Sequence, residues 1–366
     1  MTTPRPASNG MSKLSYKTAG VDIDTANDTK RQMVEILGDG NERVLNKVSA
    51  FASLFDGAFP EYKHPVLVLK TEEPGTKQKL ALEHNSVETL CYDLIGHLIN
   101  DAIVMGAKPL SVQDCIVCGK MEKEIILRIV SSLSSACKEN GCVLTGGETS
   151  EQPGVVEAGT YILSASIVAV VEKENIIDGS KIKAGDVVLA LPSSGVHTNG
   201  FSLIRKIIET TPKILNEQVE GQSFIKTILT PHRCYYNCLK DLFGKEWLVG
   251  LAHITGGGIK ENLNRILPET LSAQIDLEKI RILPIFETLK KFGGLEDADM
   301  LRTFNMGVGI TAVVKEQFVE TAIKHLNTFG VEAYEIGVIK EGNKSVDFTS
   351  ELDWNERLRK SFIDNG

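Results

Sequence analysis

No part of the 366-residue chain stays apolar for the roughly 20 residues that a bilayer span needs. The N-terminus also lacks the charged-then-apolar order of a secretory signal, so a cytoplasmic protein without membrane contact is expected. An excess of basic charge is missing too. Forty Lys and Arg stand against 48 Asp and Glu, a net charge of −8, which offers no broad cationic field to nucleic acid. The common nucleotide and hydrolase signatures are absent as well: there is no GxxxxGK(S/T) P-loop, no GxGxxG after a strand-like run, no GxSxG elbow and no HExxH helix. Seven cysteines, an odd number, fit free thiols in a reducing compartment better than a disulfide framework. Cys115, Cys118, Cys137 and Cys142 have zinc-like spacing, but the first pair lies in an apolar strand-like run and the second ends a helix-like stretch and starts a strand, so they read as core cysteines.

With 42% hydrophobic and 24% charged residues, the chain can build two sizeable cores. Residues 1–13 read as a leader or flexible tail. From Lys63 the pattern alternates: strand Val66–Leu69, helix Val87–Met105, strand Leu110–Val117, helix Glu122–Asn140, strand Cys142–Thr145, a Gly-rich loop, and strand Thr160–Val171. The turn-rich stretch Ile176–Asp186 reads as a boundary, giving domains at 14–178 and 179–366. The second half reads as strand Val187–Leu191, helix Phe201–Glu209, a long polar segment, helix Ile259–Ile266, strands Ser272–Leu277 and Val308–Val314, helix Glu316–Phe329 and strand Ala333–Ile339. The expected fold class is α/β (α+β) in two domains.

Four stretches carry chemistry. In the first, Gly75-Thr76-Lys77 has the makings of a phosphate-holding loop, yet Glu72 and Glu73 stand just before it. Carboxylates repel phosphates, so a cation has to stand between them. In the second, no Lys, Arg or Glu occurs between Glu88 and Lys108, which predicts a helix buried on most sides. Asp93, His97, Asn100 and Asp101 then fall on one stripe of that helix. Buried aspartates sharing a stripe need a metal ion or a cationic partner, and the neutral oxygen of Asn100 suits Mg²⁺.

In the third, Gly146-Gly147 lets backbone approach a ligand, with Glu148, Thr149 and Glu151 supplying oxygens. The fourth is the loop Pro192–Gly200, "PSSGVHTNG", which could ring an anion at a helix start; His197 is its only group that exchanges protons near neutral pH. "HITGGGIKENL" repeats the device, with His253 ahead of Gly256, Gly257 and Gly258 as a second phosphate cradle.

In order along the chain, "GTKQKLA", "INDAIVMGAKPL", "LTGGETSEQPG", "SSGVHTNGFSLIRKI", "HITGGGIKENLNRILP" and "RTFNMGVGI" resemble the aminoimidazole ribonucleotide synthetase (phosphoribosylformylglycinamidine cyclo-ligase) family, as does the opening "LSYKTAGVDID". The resemblance implies that ATP activates the formyl oxygen of formylglycinamidine ribonucleotide, a nitrogen closes the ring and phosphate leaves. It implies ATP binding by Glu72, Gly75, Thr76, Lys77, Asn100, Asp101, Gly146, Gly147 and Glu148, and Mg²⁺ on Glu72, Asp93, Asp101 and Glu148. It places the substrate near Ser193, Ser194, Gly195, Asn199 and Gly256 to Gly258, with His197, Lys77 and His253 catalytic. It also implies a homodimer paired through the N-terminal domain.

Where the family pattern reads Thr-Asp-Gly-Val-Gly-Thr-Lys, this chain has Thr71-Glu72-Glu73-Pro74-Gly75-Thr76-Lys77. The extra methylene of Glu72 shifts a ligand oxygen by about 1.5 Å. His97 stands where the family usually has an apolar residue. These departures motivate the alternative of a nucleotide-binding paralogue with weak or altered activity, or of another phosphoryl-transfer enzyme of the superfamily. Selenophosphate synthetase, one such relative, needs a reactive thiol in an N-terminal loop, and no cysteine precedes Cys91.

Overall fold

The computed structural model describes residues 23–37, 41–46 and 50–354. The expected leader, most of the "LSYKTAGVDID" stretch and the last 12 positions, 355–366, lie outside these residues. The first unit comprises α1 (Ile23–Leu37), β1 (Pro65–Glu72), α2 (Lys77–Glu83), α3 (Val87–Ile103), β2 (Lys108–Cys118), α4 (Lys123–Glu139), β3 (Val143–Glu151) and β4 (Tyr161–Glu172). Its sheet has the order β1-β4-β2-β3, with only the β2–β3 pair parallel.

α3 and α4 pack together, and α3 lies on β1, β4 and β2. The missing long charged side chains have their expected result: Leu90, Leu94, Ile95, Leu98, Ile99 and Ala102 of α3 are completely buried. Up to Ala169, β4 shows a two-residue period. Tyr161, Leu163, Ala165, Ile167 and Ala169 face the helices, while Ile162, Ser164, Ser166 and Val168 turn outward. On that outer face Leu67, Leu69 and Ile162 are 53%, 70% and 42% exposed.

The second unit begins with β5 (Val187–Pro192), α5 (Phe201–Thr210), a short hairpin of β6 (Gln218–Val219) and β7 (Gln222–Ser223), α6 (Phe224–Ile228) and α7 (Tyr236–Leu239). There follow β8 (Leu248–His253), α8 (Gly258–Asn264), β9 (Leu271–Ile275), α9 (Pro284–Gly293), α10 (Asp297–Thr303), β10 (Val308–Val314), α11 (Val319–Asn327), β11 (Tyr334–Glu341) and β12 (Val346–Phe348). Six strands form a mixed sheet in the order β12-β9-β11-β5-β10-β8. β10, read correctly to the residue, is buried at every position because it lies between β5 and β8 with both faces covered.

Three readings change. The Gly-rich stretch after Thr145 is not a loop: β3 continues through Gly146 and Gly147 to Glu151, paired with β2, and a Cβ at Gly147 would lie 1.8 Å from the Asp114 carbonyl oxygen. Gly147 serves strand packing, whereas Gly146, at a φ of 113°, has open space around it. The expected helix Glu316–Phe329 is a 3₁₀ turn, Glu316–Phe318, followed by α11. The long polar segment holds structure of its own, and its residues Thr230 to Tyr235 return to the start of α2 and to α3.

Candidate active site

Lys77 opens α2 behind Gly75, whose φ of 62° lies in the left-handed region, and behind Thr76. The sequence offers its ammonium to a phosphate, but the structure turns it inward. Lys77 Nζ is fully buried, 2.8 Å from each Asp93 carboxylate oxygen, 3.1 Å from the His197 carbonyl and 3.0 Å from the Thr230 carbonyl. An ammonium has three donors, and all three have acceptors here. A phosphate would have to displace one of them, so Lys77 is corrected from a phosphate ligand to a clamp between the two units.

Asp93 also accepts from the His232 backbone N–H at 2.8 Å. Burial pushes its carboxyl up to about 6 against the pull of Lys77, and burial likewise lowers Lys77 against the pull of Asp93. With a cation already at 2.8 Å, Asp93 is not a metal ligand in this arrangement. Asn100 is committed in the same way. Its amide donates to the Arg233 carbonyl at 2.8 Å and its oxygen accepts from the Tyr235 N–H at 3.0 Å, so its expected nucleotide or Mg²⁺ contact gives way to positioning of the 230–235 segment.

The other two residues of the stripe meet a cluster that no single motif revealed. His97, His197, His232 and His253, four of the seven histidines, come together in the interior. His253 Nδ1 lies 2.7 Å from Asp101 Oδ1, and His253 Nε2 lies 3.0 Å from His232 Nε2. Thr198 Oγ1 is 3.1 Å from His97 Nδ1 and 3.4 Å from His232 Nδ1. His197 stacks on His232 with ring centroids 3.8 Å apart, and its Nε2 accepts from the Ser194 N–H at 3.2 Å. Burial lowers the pKa of His97 to about 4 and takes His197 and His232 well below the ordinary value, so these three rings are neutral at physiological pH. Burial alone would raise Asp101, but the His253 hydrogen bond, the His253 and His97 charges and Lys70 outweigh it and hold the carboxyl below its usual range.

Lys70, on β1, joins Asp101 to the acidic stretch. Its ammonium lies 2.6 Å from Glu72 and 3.0 Å from Asp101 Oδ2. Glu72 therefore has a cation beside it, the Lys70 ammonium. Glu148 is elsewhere: Glu72 pairs with Ala165, Ala165 with Asp114 and Asp114 with Gly147, so β3 lies three strand spacings, about 14 Å, from Glu72. One subunit does not bring Glu148 to the Lys70 ammonium shared by Glu72 and Asp101.

The anion loop is held from below by Asn305 of the "RTFN" stretch. Its amide donates to the Gly195 and Val196 carbonyls, and its oxygen accepts from Ser193 Oγ and the Gly307 N–H. Ser193 is thereby buried and spent on the loop, whereas Ser194 is more open and donates to the Pro231 carbonyl at 2.6 Å. His197 takes a left-handed φ of 63°, and Gly200, at φ 81°, starts α5 with no side-chain cap. A Cβ at Gly200 would strike the Phe304 ring at 2.3 Å. Partly exposed Asn199 meets exposed Gly256, so the 192–200 and 253–258 loops converge as expected, with Gly257 and Gly258 opening α8. Motif reading missed His232, Thr198, Lys70 and Asn305. Only the "RTFN" run carried a signal for Asn305.

Comparison with known proteins follows the same division. The family described as AIR synthase related protein, N-terminal domain, matches residues 59–171, and its C-terminal domain matches 183–348. A phosphoribosylformylglycinamidine cyclo-ligase of Nitrosospira multiformis is 40% identical over 346 residues, covering 93% of this chain and 97% of the relative. The enzyme of that name from Nitrosococcus oceani is 42% identical over 333 residues, covering 90% and 92%. Among solved structures, Escherichia coli HypE superposes with a TM-score of 0.66 at 15% identity over 91% of this chain and 98% of its own. A thiamine-monophosphate kinase from Stenotrophomonas maltophilia gives 0.59 at 14% identity over 90% and 97%. At these identities the superpositions speak for the fold alone.

Proposed function

The chain belongs to the phosphoribosylformylglycinamidine cyclo-ligase family, and from that premise we propose how its residues divide the work of ring closure. The enzyme converts formylglycinamidine ribonucleotide and ATP to aminoimidazole ribonucleotide, ADP and phosphate. The observation that carries the assignment is the 2.7 Å contact between Asp101 and His253, which couples the α3 stripe of one unit to the glycine loop of the other.

In the neutral ring, His253 donates Nδ1–H to the Asp101 carboxylate and its Nε2 faces His232 Nε2 at 3.0 Å, a contact it exchanges for the substrate when it acts as a base. A proton taken from the attacking amidine nitrogen makes an imidazolium that Asp101 stabilises. His197, 1% exposed and with Nε2 already accepting from Ser194, holds the shape of the anion loop. Ser194, Gly195, Asn199 and Gly256 to Gly258 take the ribose phosphate, through hydroxyl, amide and backbone N–H groups. Glu72, Gly75, Thr76 and Asp101 face the nucleotide.

The donor set suits Mg²⁺. Two carboxylates already enclose a cation, because the Lys70 ammonium lies within 3.0 Å of both. Bound there, Mg²⁺ supplies charge neutralisation for the triphosphate. Glu72 and Asp101 are the residues that hold it, and Lys70 is the group that moves aside.

The chain acts as a cytoplasmic homodimer of two-domain subunits, 14–178 and 179–366. The exposed apolar face at Leu67, Leu69 and Ile162 supports pairing through the first sheet, which a Leu69→Lys variant disrupts. Glu148, with Gly146 and Gly147 on the far edge strand, is assigned to the nucleotide site of the neighbouring subunit.

The test is purified enzyme with formylglycinamidine ribonucleotide, ATP and Mg²⁺, scored for ADP and the aminoimidazole product in equal amounts. Nucleotide binding without turnover would overturn the reading and identify a paralogue.

A further inference from the structure

The hydrogen-bond directions around the histidine cluster are fixed once the rings are neutral. Asp101 only accepts, so His253 gives it Nδ1–H and receives His232 Nε2–H on its own Nε2. His232 Nδ1 then accepts from the Thr198 hydroxyl, and that oxygen accepts from His97 Nδ1–H. The chain ends on the lone pair of His97 Nε2, which lies 4.0 Å from the Asp101 Oδ2 carboxylate oxygen. That oxygen already holds the Lys70 ammonium at 3.0 Å, so a metal ion bound between the two atoms takes the place of Lys70.

We propose that His97, Asp101 and His253 form a site for a borderline transition-metal ion of the Zn²⁺ type, and that its occupancy switches ring closure off. Their ligand atoms lie within 4.8 Å of one another. Atoms bound to a tetrahedral ion at about 2.0–2.1 Å lie about 3.3 Å apart, and the contacts of 2.7 Å and 4.0 Å bracket that spacing. The rings of His97 and His253 stand at 82°, so their in-plane lone pairs can converge on a point between them.

The other triple, His197, His232 and His253, passes the same distance criterion but fails on orientation. His197 and His232 stack at 3.8 Å and 20°, so an ion in the plane of one ring lies off the plane of the other.

The outer shell also fits. When the ion takes the His253 Nδ1 lone pair, the His253 proton sits on Nε2 and faces His232 Nε2, while the His232 proton sits on Nδ1. Thr198 Oγ1 then accepts from both His97 Nδ1–H and His232 Nδ1–H, so no proton is lost and every second nitrogen keeps a partner. Imidazole with carboxylate suits Zn²⁺, Co²⁺ or Ni²⁺, whereas Mg²⁺ prefers oxygen alone.

Inhibition rests on the proposed function, since the ion takes Asp101 and His253 Nδ1 away from catalysis. Metal binding does not rest on it. The probe for binding is Co²⁺ added to the full-length protein. The expected result is one equivalent bound with the intense visible absorption of four- or five-coordinate cobalt, and at least a tenfold loss of affinity in His97→Leu, an apolar substitution that keeps the helix packed. An octahedral-type spectrum in the wild type, or an unchanged one in His97→Leu, would overturn the site even if ring closure is confirmed. In the cyclisation assay Zn²⁺ should inhibit the wild type, reversibly with chelator, and spare His97→Leu. A cobalt site without zinc inhibition would overturn the switch and leave the cyclo-ligase reading intact.

Discussion

Two lysines seven positions apart meet opposite fates. Lys77 lies in the motif that promises phosphate binding and is completely buried, locked to Asp93 and to two carbonyls of the second unit. Lys70, which no motif marks, stands half-open on β1 and bridges Glu72 and Asp101 at the rim of the site. The difference is one of solvent. A buried ion pair has lost hydration on both partners and cannot be broken cheaply, whereas a rim pair exchanges its partner for an ion or a substrate group at small cost. Reactivity belongs to the open pair and architecture to the closed one.

The strongest way to break the contrast is Lys77→Ala. It leaves the Asp93 charge buried and uncompensated, and the expected loss is about 3–5 kcal/mol of folding stability, read as a fall in Tm and in the denaturant midpoint. The double variant Lys77→Met, Asp93→Leu should recover much of this. If Lys77→Ala folds as well as wild type and merely binds ATP weakly, the clamp assignment fails.

Asp101→Ala tests the open partner. Ring closure should fall by about 10²- to 10⁴-fold in kcat, with little change in Tm, because its side chain borders the site and Lys70 retains Glu72. A large Tm loss with normal turnover in the folded fraction would place Asp101 on the architectural side instead.

A second buried carboxylate sharpens the rule. Burial pushes Asp114 up to about 6 from 3.8, opposed by a backbone hydrogen bond, and among the described residues no lysine plays the role of Lys77 there. Because the folded-state value is raised, the protonated form contributes stability that is complete below 3.8 and is lost as pH rises through about 6. A shift of about two units corresponds to about 3 kcal/mol, so Asp114→Asn should be the more stable form at pH 8 by up to that amount and equal to wild type near pH 3.5. Equal pH–stability curves for the two proteins would contradict this.

The smallest effect is expected from Lys70→Ala. Removing a partly exposed cation from Glu72 and Asp101 should lower the Mg²⁺ concentration needed for half-maximal activity by about two- to fivefold, the scale of an exposed ion pair. A higher Mg²⁺ requirement would show that Lys70 helps bind the nucleotide rather than keeping its place.

Much of the architecture was legible in the chain. The absence of long charged residues from Glu88 to Lys108 identified the buried helix, and the strand expected at Thr160–Val171 is β4. The site was legible in its parts: His197, His253, Asp101 and the glycine loops do converge. What escaped was commitment. Asn100 and Ser193 have the chemistry of ligands, and nothing local shows that Tyr235 or Asn305 claims them first. His232 escaped because it stands in a polar segment with no periodicity and reaches the cluster only when that segment folds back onto α3.

The sequence by itself determined the family, the alternation of helix and strand, and the need for a cation near Glu72, because composition, periodicity and charge act locally along the chain. Only the tertiary structure decided which cation answers that need, which carboxylate is sealed and which is left open, and that four histidines share one interior. Those outcomes depend on burial and on partners up to about 150 residues apart, such as Asp101 and His253, and the strength of a charge contact is set by the solvent that folding removes.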